Sequence, residues 1–464
     1  MKKFKKVKNI HFIGIGGAGM IGIAKVLLKK GYKISGSDIN DSPELNKLKK
    51  DGAKVFIGHD KSFISGSNLI VVSSAIDNNN PELIQAKKDN VTIIPRAEML
   101  GSIMKDYDSI AVAGSHGKST TTSMIAKIFS AAQLSPTYVV GGKVLNTDQN
   151  SDLGTGNYLV AEADESDGTF IHLQPDVAVL TNIDDDHLSH YNNIFENLLD
   201  AFVTFLENVP FYGYLVINND DINIQKISKR ISRKQISFGE SKNSDYVIQN
   251  IKSSNGTQYF EILQNSTNKN FNFSLNIPGK HNIFNAAASI AVSFEEEIDY
   301  KLIQQGINEF IGVGRRYEKH NIKINSKRKV LIDDYGHHPI EINANFNAFK
   351  EEFNNQKSCM IFQPHRFTRT QQLFDEFVRV LSKLDTLIIL DIYSASESPI
   401  KGINSISLKK AIQKKGHKNV KYIKNHDDIL KYLKENSDNF DVIITQGAGS
   451  ISSVCNSILE ECLI

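Results

Sequence analysis

The sequence predicts an α/β protein in which mainly parallel sheets are covered by helices. Short apolar strands alternate with helical patterns along nearly all of the 464 residues, which is typical of parallel sheets with helices on both faces. Two of the predicted strands are followed by a glycine-rich turn and a helix start, one at Gly14 and one at Gly114. A chain of this length exceeds what one core usually supports, so we expect about three domains.

Two changes in the pattern predict the domain boundaries. A new strand begins after Asp106-Tyr107-Asp108, and the segment 312–316, Gly-Val-Gly-Arg-Arg, is typical of a hinge. We therefore predict a Rossmann-like N-terminal domain over residues 1–108, a central P-loop-type ATPase domain over 109–318 and a C-terminal Rossmann-like α/β domain over 319–464. A polar, strand-like stretch at 245–277 predicts a small antiparallel portion beside the parallel sheet of the central domain.

Runs of apolar residues bounded by glycine, proline or charged residues place the individual elements. For the N-terminal domain we predict strands Ile10–Ile15, Lys33–Ser35, Leu69–Ser73 and Val91–Ile94, and helices Ala18–Lys30, Glu44–Lys50 and Pro81–Lys88. For the central domain we predict strands Ile110–Ala113, Tyr158–Ala163 and Ala178–Thr181, and helices Thr121–Ala132, Asn282–Phe294 and Lys301–Phe310. For the C-terminal domain we predict strands Val330–Asp333, Ser358–Phe362, Thr386–Leu390 and Val442–Thr445.

Composition and charge exclude several classes of protein. The net charge is +2, which removes the electrostatic argument for a nucleic-acid partner. No apolar run approaches the ~20 residues that a membrane span needs, and the basic start lacks the apolar segment of a signal peptide. Cys359, Cys455 and Cys462 have no C-x-x-C spacing and are expected to be free thiols. We therefore expect a cytoplasmic monomer or homodimer.

The strongest chemical signal is the segment Gly114-Ser115-His116-Gly117-Lys118-Ser119-Thr120. It follows a buried strand and opens a helix, where backbone N–H groups and the helix dipole favour phosphate. Lys118 can reach the outer phosphates of a nucleotide, and the Ser119 hydroxyl can bind the accompanying Mg²⁺. The spacing differs from the standard P-loop, because the first glycine lies three residues before the second. The segment predicts ATP binding.

A second glycine-rich turn, Gly14-Ile15-Gly16-Gly17-Ala18-Gly19, lies between the first strand and the first helix. Asp38 follows Gly19 by nineteen residues, a spacing typical of dinucleotide binding. The same backbone geometry binds any diphosphate. The residues alone therefore leave NAD and a nucleotide-sugar diphosphate as equal alternatives.

Acidic residues follow two predicted strands of the central domain. Glu162-Ala163-Asp164-Glu165-Ser166-Asp167 comes after one strand, and Asp184-Asp185-Asp186-His187 after another. Mg²⁺ prefers carboxylate and phosphate oxygens, and parallel strands bring their carboxyl ends together. We therefore expect Ser119, Glu162 and His187 to share a metal cluster.

Two further segments have both a structural and a functional interpretation. Asn282 and Asn285 lie at a predicted helix start, where capping is favoured over contact with an adenine edge. Arg366 and Arg369 could clamp a small carboxylate, or belong to a polar surface loop. A metal site at His337-His338 lacks a third ligand at suitable spacing.

In their order along the chain, these segments resemble the Mur ligases of peptidoglycan synthesis. The resemblance covers nearly the whole chain. It also includes the motifs Ser35-Gly36-Ser37-Asp38, Ser73-Ser74-Ala75-Ile76, Pro95–Leu100, Gly312–Tyr317, Asp333–Glu341, Gln363–Thr370 and Tyr393–Ile400. One such motif is weak evidence, but the ordered set is specific. It favours a UDP-sugar over NAD at the N-terminal glycines.

The resemblance implies an ATP-dependent amide ligase with two Mg²⁺ ions, which joins L-alanine to the carboxylate of UDP-N-acetylmuramate through an acyl phosphate. By matching position it assigns UDP-sugar binding to Gly14, Gly16, Gly17, Ala18, Gly19, Asp38, Ser73, Ser74 and Arg96. It assigns ATP binding to Gly114, Ser115, His116, Gly117, Lys118, Ser119, Thr120, Asn282, Asn285, Arg316 and Asp334. It assigns catalysis to Lys118, Glu162 and His187, and metal binding to Ser119, Glu162 and His187. It assigns the amino acid to Tyr335, His337, His365, Arg366 and Arg369.

Three alternative functions make different demands on ligands. A dehydrogenase would consume NAD and need no ATP. A P-loop switch or motor protein would hydrolyse ATP without a small amine. A recycling ligase of the same family would attach a ready-made tripeptide to the same UDP-sugar.

Overall fold

The computed structural model of the chain describes residues 6–144, 149–186, 188–254, 256–354, 356–395 and 397–463. The strands are β1 (Asn9–Ile13), β2 (Lys33–Asp38), β3 (Lys54–Ile57), β4 (Leu69–Val72), β5 (Thr92–Pro95), β6 (Asp108–Ala113), β7 (Thr137–Val144), β8 (Gln149–Asp152), β9 (Tyr158–Glu162), β10 (Val177–Leu180), β11 (Tyr214–Asn218), β12 (Lys234–Gly239), β13 (Tyr246–Ser254), β14 (Thr257–Gln264), β15 (Lys269–Leu275), β16 (Glu318–Ile324), β17 (Lys327–Asp334), β18 (Ser358–Phe362), β19 (Thr386–Ile389), β20 (Val420–Tyr422) and β21 (Val442–Gln446).

The α-helices are α1 (Ala18–Lys29), α2 (Pro43–Lys50), α3 (Pro81–Lys88), α4 (Arg96–Met104), α5 (Lys118–Ala131), α6 (Phe195–Glu207), α7 (Ile222–Ser228), α8 (Lys280–Glu295), α9 (Tyr300–Asn308), α10 (Pro339–Glu352), α11 (Phe367–Gln372), α12 (Phe374–Leu381), α13 (Ser405–Lys414), α14 (His426–Glu435) and α15 (Ile451–Cys462). Single turns of 3₁₀ helix lie at Lys61–Ile64, Glu165–Asp167, Thr169–His172, Leu188–Tyr191 and Ser437–Asn439. Across the described ranges, no helix is long and apolar enough to cross a membrane.

The N-terminal sheet has the strand order β3-β2-β1-β4-β5, and every neighbouring pair is parallel. Its central strand β1 pairs Ile10 with Ile34 of β2 and with Leu69 of β4. Phe12 and other buried residues of the strands and of α1 form the core on one side. This order places the turn after β1 at the middle of the carboxyl edge of the sheet, where ligands of open α/β sheets bind.

The central sheet has the order β15-β14-β13-β12-β11-β10-β6-β9-β7-β8. Its parallel part includes β6, which pairs with β9 and β10, and its antiparallel portion includes the β14–β15 pair. Both parts were predicted. Strands β7, β8, β11 and β12 were not predicted, although the apolar run 214–218 of β11 is a clear strand signal.

The third sheet has the order β16-β17-β21-β18-β19-β20, with β16 antiparallel and the other neighbouring pairs parallel. Cys359, Cys455 and Cys462 are free thiols, as expected, and all three are buried. The three sheets confirm the predicted fold class.

The chain divides into two compact units. The first comprises Met1–Lys252, Gln258–Asn276 and His281–Ile311, and the second comprises Ser253–Thr257, Ile277–Lys280 and Gly312–Ile464. The first unit therefore carries most of the N-terminal and central sheets, and the second carries the third sheet. The boundaries at 108/109 and 318/319 stay predictions.

Candidate active site

The phosphate loop, Gly114–Ser119, is fixed by hydrogen bonds to the segment that follows β10. The Ser115 amide donates to the carbonyl of Asn182 (3.0 Å), and the His116 amide donates to Asn182 Oδ1 (2.8 Å). The Asp184 amide donates to Ser115 Oγ (2.8 Å), and His116 Nε2 lies 3.1 Å from Asp184 Oδ2. The loop is thus held in shape by the protein itself, as an anion-binding turn requires.

Helix α5 begins at Lys118, not at Thr121 as predicted. Gly117, which precedes the helix, has a left-handed backbone (φ +83°), and glycine adopts this conformation at little cost. The helix therefore begins directly after Gly117. Lys118 and Ser119 lie in the first turn, whose N–H groups have no intrahelical partner.

Asn285 packs directly against the phosphate loop. A Cβ on Gly117 would lie 2.3 Å from Asn285 Oδ1, so only glycine fits there without displacing the amide. The Asn285 Nδ2 donates to Asn282 Oδ1 (3.3 Å), and both side chains are buried. The capping interpretation was wrong, because α8 begins at Lys280 and both asparagines lie within it. Their contact with adenine stays a prediction.

Lys118 is surrounded by oxygen acceptors. Its Nζ lies 2.7 Å from Glu165 Oε2, 2.5 Å from the Gly114 carbonyl and 3.2 Å from the Ser115 carbonyl. Burial alone would lower the Lys118 pKa, but the charges of Glu165 and Asp164 outweigh it and raise the pKa. Burial also raises the pKa of Glu165 to about 7. The Lys118 ammonium is therefore held beside the N-terminus of α5, where a bound anion is favoured.

Glu162 and Ser119 meet beside this lysine. Glu162 Oε1 accepts the Gly141 amide (2.6 Å), and its carboxylate also accepts the Ser119 hydroxyl. Burial raises the pKa of Glu162, so a cation that keeps it ionised would be stabilised there. The buried Glu165 Oε1 lacks a hydrogen-bond partner within the described part of the chain.

These oxygen donors fit Mg²⁺, which prefers carboxylate and hydroxyl oxygens. His187, the third expected ligand, lies outside the described residues. Within the ranges that the structure describes, no group of three or more His, Cys, Asp or Glu side chains is arranged around a common metal position. Thr120 lies one residue further along α5 and is buried.

The N-terminal glycine loop, Gly14–Gly19, is supported by the end of β2. The first two amides of the loop donate to the Ser37 carbonyl (2.8 and 3.0 Å). The Gly16 amide donates to Asp38 Oδ2 (2.8 Å), and a Cβ on Gly16 would lie 2.7 Å from that oxygen. A Cβ on the first glycine would lie 3.1 Å from Ser73 Cβ. Asp38 thus supports the backbone of the loop, and Ser73 lies against it.

Arg96 lies over the start of α1 and also contacts the acidic segment of the central domain. A Cβ on Gly19 would lie 2.8 Å from Arg96 Nη1, and Arg96 Nη2 donates to Asp164 Oδ2 (3.3 Å). Gly17 precedes α1, Ala18 begins it, and Ser74 is exposed after β4. The predicted UDP-sugar residues therefore collect at one end of the N-terminal sheet, and Arg96 links them to the neighbourhood of Lys118.

In the second unit, Asp334 is buried at the end of β17. Its Oδ1 accepts the Gly336 amide (2.6 Å) and the Gln446 side-chain amide (2.8 Å), and its Oδ2 accepts the Tyr317 amide (2.8 Å). Arg316 lies 3.3 Å from a Glu341 oxygen. Asp334 therefore fixes the backbone at Tyr317 and the turn after β17, and its expected contact with ribose stays a prediction.

Four of the five predicted amino-acid residues lie close together in the same unit. The ring of His337 lies 5.5 Å from that of Tyr335 and 5.2 Å from that of His365. Arg369 Nη1 lies 3.4 Å from His365 Nδ1, and Tyr393 stacks on His365 at 5.5 Å. Tyr393 was not among the predicted site residues.

Arg366 differs from these four, because its charge acts on Glu397. Hydrogen bonds from Thr368, and after them the charge of Arg366, lower the pKa of that carboxyl against the effect of burial. Its backbone is left-handed (φ +71°), and its amide donates to the Tyr393 carbonyl (2.8 Å). The described contacts therefore do not join Arg366 and Arg369 into one clamp.

Sequence reasoning missed the partners that hold the predicted residues in place. Glu165 pairs with Lys118, Asp164 with Arg96, and Asn182 fixes the phosphate loop. A signal for the first two was present, since four carboxylates in six residues need nearby cations. The choice of partner depends on the packing of β6 beside β9, which spacing along the chain does not reveal.

A phosphate loop with a largely enclosed lysine, on a chain with three sheets covered by helices, defines a nucleotide-dependent α/β enzyme. Three family models match the chain: "Mur ligase family, catalytic domain" at residues 9–108, "Mur ligase middle domain" at 112–293 and "Mur ligase, glutamate ligase domain" at 315–449. The chain belongs to the Mur ligase family. It is therefore an enzyme of this family, as the sequence predicted.

Curated relatives match almost end to end. A UDP-N-acetylmuramate–L-alanine ligase of Vesicomyosocius okutanii subsp. Calyptogena okutanii is 45% identical over 97% of this chain and 96% of its own length. The enzyme of the same name from Chromobacterium violaceum is 41% identical over 97% of each chain. The crystal structure of UDP-N-acetylmuramate-alanine ligase from Thermotoga maritima has a TM-score of 0.83 and 27% identity, covering 98% of each chain.

A murein peptide ligase from Psychrobacter arcticus has the same fold, with a TM-score of 0.73 over 97% of this chain. At 21% identity, this similarity shows a shared fold only. The family match removes the dehydrogenase and P-loop switch alternatives.

Proposed function

We propose that this chain joins L-alanine to the carboxylate of UDP-N-acetylmuramate and converts ATP to ADP and phosphate. The observation that carries this proposal is the 45% identity over 97% of the chain to a ligase of that name. The phosphate loop supports it independently, because Lys118 and the first turn of α5 form a cationic site for a polyphosphate.

The first step activates the acid. A muramyl carboxylate oxygen attacks the γ-phosphorus of ATP, a new O–P bond forms, the bond from the γ-phosphorus to the β,γ-bridging oxygen breaks, and ADP leaves. Charge spreads over the phosphoryl oxygens, so positioned cations supply most of the catalysis. Lys118 would exchange Glu165 and the two loop carbonyls for phosphate oxygens.

The second step forms the amide. The neutral amine of L-alanine attacks the acyl carbon, the C–O bond to phosphate breaks, and the amine loses its proton as phosphate leaves. Tyr335, His337, His365, Arg366 and Arg369 are the residues proposed to hold L-alanine. The aromatic cluster formed by His337, His365 and Tyr393 supports this role for the second unit.

Mg²⁺ would be held by Ser119 and Glu162, with His187 proposed for a second ion. When bound, it would neutralise charge on the transferring phosphoryl group. Asn282 and Asn285 are proposed for adenine, Arg316 for phosphates and Asp334 for ribose. Gly14–Gly19, Asp38, Ser73, Ser74 and Arg96 are proposed for the UDP-sugar.

Phosphate release tests the proposed reaction directly. Protein is supplied with ATP, Mg²⁺ and UDP-N-acetylmuramate, and L-alanine, glycine, L-serine or the tripeptide is added in turn. We expect release to require both the UDP-sugar and an amine, with L-alanine the preferred amine. Hydroxylamine in place of the amino acid should trap the acyl phosphate as a hydroxamate.

Two results would contradict the proposal. Release with the tripeptide but not with L-alanine would assign the recycling reaction. Release without any acceptor would indicate simple ATP hydrolysis and not ligation.

A further inference from the structure

A buried polar cluster in the N-terminal sheet has no part in the chemistry proposed above. The Glu82 cluster consists of Glu82 in the first turn of α3, His11 on β1, Ser37 on β2 and His59 after β3. His11 Nε2 lies 2.6 Å from Glu82 Oε2, while Ser37 Oγ and His59 Nδ1 each lie 2.7 Å from Glu82 Oε1. Both Glu82 and His11 are fully buried.

Such a cluster is costly to bury unless it is fully hydrogen-bonded. Burial alone would raise the Glu82 pKa, but the hydrogen bonds from His11, Ser37 and His59 outweigh it and lower the pKa. The second ring nitrogen of His11 contacts Ser35 Oγ (2.8 Å). The carboxylate therefore joins β1, β2 and the loop after β3 to α3, and a hydrophobic side chain could not replace these directional bonds.

The cluster acts on the same backbone that supports the N-terminal glycine loop. The Ser37 hydroxyl binds Glu82, and the Ser37 carbonyl accepts the first two amides of the loop. The next residue, Asp38, accepts the Gly16 amide through its side chain, and its carbonyl accepts the Gly58 amide (2.7 Å) beside His59. Any shift of β2 at Ser37 would thus move both supports of the loop.

We propose that Glu82 is a positioning residue for the UDP-sugar, which fixes the end of β2 and thereby the loop that holds the diphosphate. This inference rests on the proposed function, because it assumes that Gly14–Gly19 binds the UDP-sugar. Glu82 does not touch the reacting atoms. Its loss should therefore weaken UDP-sugar binding and leave the chemical step of the bound complex in place.

The test compares the buried carboxylate of Glu82 with the half-buried carboxylate of Glu296 in the full-length enzyme. Glu82→Gln keeps the volume and removes the charge, and Glu296→Gln makes the same change where the carboxylate accepts the hydroxyls of Tyr158 and Tyr214 (2.7 Å each). We expect Glu82→Gln to raise the KM for UDP-N-acetylmuramate roughly tenfold, with kcat and the KM for ATP within about twofold. Glu296→Gln should change melting temperature but none of these constants.

A second pair of variants decides the matter if Glu82→Gln does not fold. His59→Asn keeps an N–H donor near the position of Nδ1, and His59→Ala removes it. We expect the KM for UDP-N-acetylmuramate to rise in His59→Ala and to be restored in His59→Asn. Equal values in the two variants would overturn the inference.

The two proposals fail in different ways. If the wild-type enzyme neither binds UDP-N-acetylmuramate nor forms product, the proposed function fails. With an active wild-type enzyme, two results would overturn the positioning role alone. In the first, Glu82→Gln keeps the wild-type KM for UDP-N-acetylmuramate. In the second, Glu82→Gln loses kcat and ATP affinity as much as it loses affinity for the UDP-sugar.

Discussion

The two glycine-rich loops of the first unit follow the same plan but use different chemistry. Each follows a parallel strand, β1 or β6, and each opens a helix, α1 or α5. The phosphate loop contains Lys118, with Glu165 2.7 Å away, whereas the N-terminal loop contains no charged side chain. Its amides are supported by Ser37 and Asp38.

This difference matches the demands of the ligands proposed for the two loops. A diphosphate that is only held needs backbone amides and a fixed loop shape. A phosphoryl group that is transferred needs charges placed where charge develops in the transition state. The acidic groups under the loops also differ, because burial raises the pKa of Glu165 while hydrogen bonds from His11, Ser37 and His59 lower that of Glu82.

The largest expected effect follows from removing the charge of the phosphate loop. Lys118→Met should lower kcat by about 10²–10³-fold, since it deletes a preorganised charge at the transferring group. The KM for UDP-N-acetylmuramate should stay nearly unchanged. Lys127→Met is the matched control, because Lys127 lies on the same helix and pairs with Glu309 (2.7 Å). Steady-state kinetics with near-normal turnover in Lys118→Met would refute the division of roles between the loops.

Opposite pKa shifts predict opposite pH dependence of stability. Between its ordinary pKa of 4.5 and the folded value of about 7, Glu165 is protonated in the folded chain and ionised in the unfolded chain. Its contribution is thus fully present below pH 4.5 and is lost as the pH rises through 7, by at most about 3 kcal/mol. Glu82 has a lowered pKa, so its contribution is present above pH 4.5 and is lost as the pH falls through its folded pKa.

Thermal melts of wild type, Glu165→Gln and Glu82→Gln from about pH 3 to pH 8 measure both effects. The melting temperature of the wild type relative to Glu165→Gln should fall between pH 4.5 and 7. Relative to Glu82→Gln it should fall on acidification below pH 4.5. If the two differences in melting temperature changed with pH in the same direction, the predicted contrast between Glu165 and Glu82 would be wrong.

The sequence predicted both loops because local patterns determine them. A strand, a glycine turn and a helix start appear in sequence as apolar residues followed by glycines, and Lys118 and Ser119 follow directly. The supports of the loops are distant along the chain. Glu82 and His11, for example, are joined by packing between α3 and β1, although a histidine within the apolar run of β1 was a visible signal.

The smallest expected effect concerns Arg96, which contacts both regions. Arg96→Met should raise the KM for UDP-N-acetylmuramate about tenfold, because it removes the charged contact that we propose between Arg96 and the diphosphate. Asp164→Asn should have a weaker effect, since the partly exposed Arg96–Asp164 pair (3.3 Å) contributes about 1 kcal/mol or less.

Arg230→Met serves as the control, because Arg230 pairs with Glu196 and Asp200 on exposed side chains. Calorimetric titration of each variant with the UDP-sugar, and separately with ATP and Mg²⁺, separates the two loops. If Arg96→Met loses affinity for ATP only, this arginine acts with the phosphate loop through the Arg96–Asp164 contact. The N-terminal loop would then bind its ligand through backbone amides, and the charged side chains would belong to the phosphate loop.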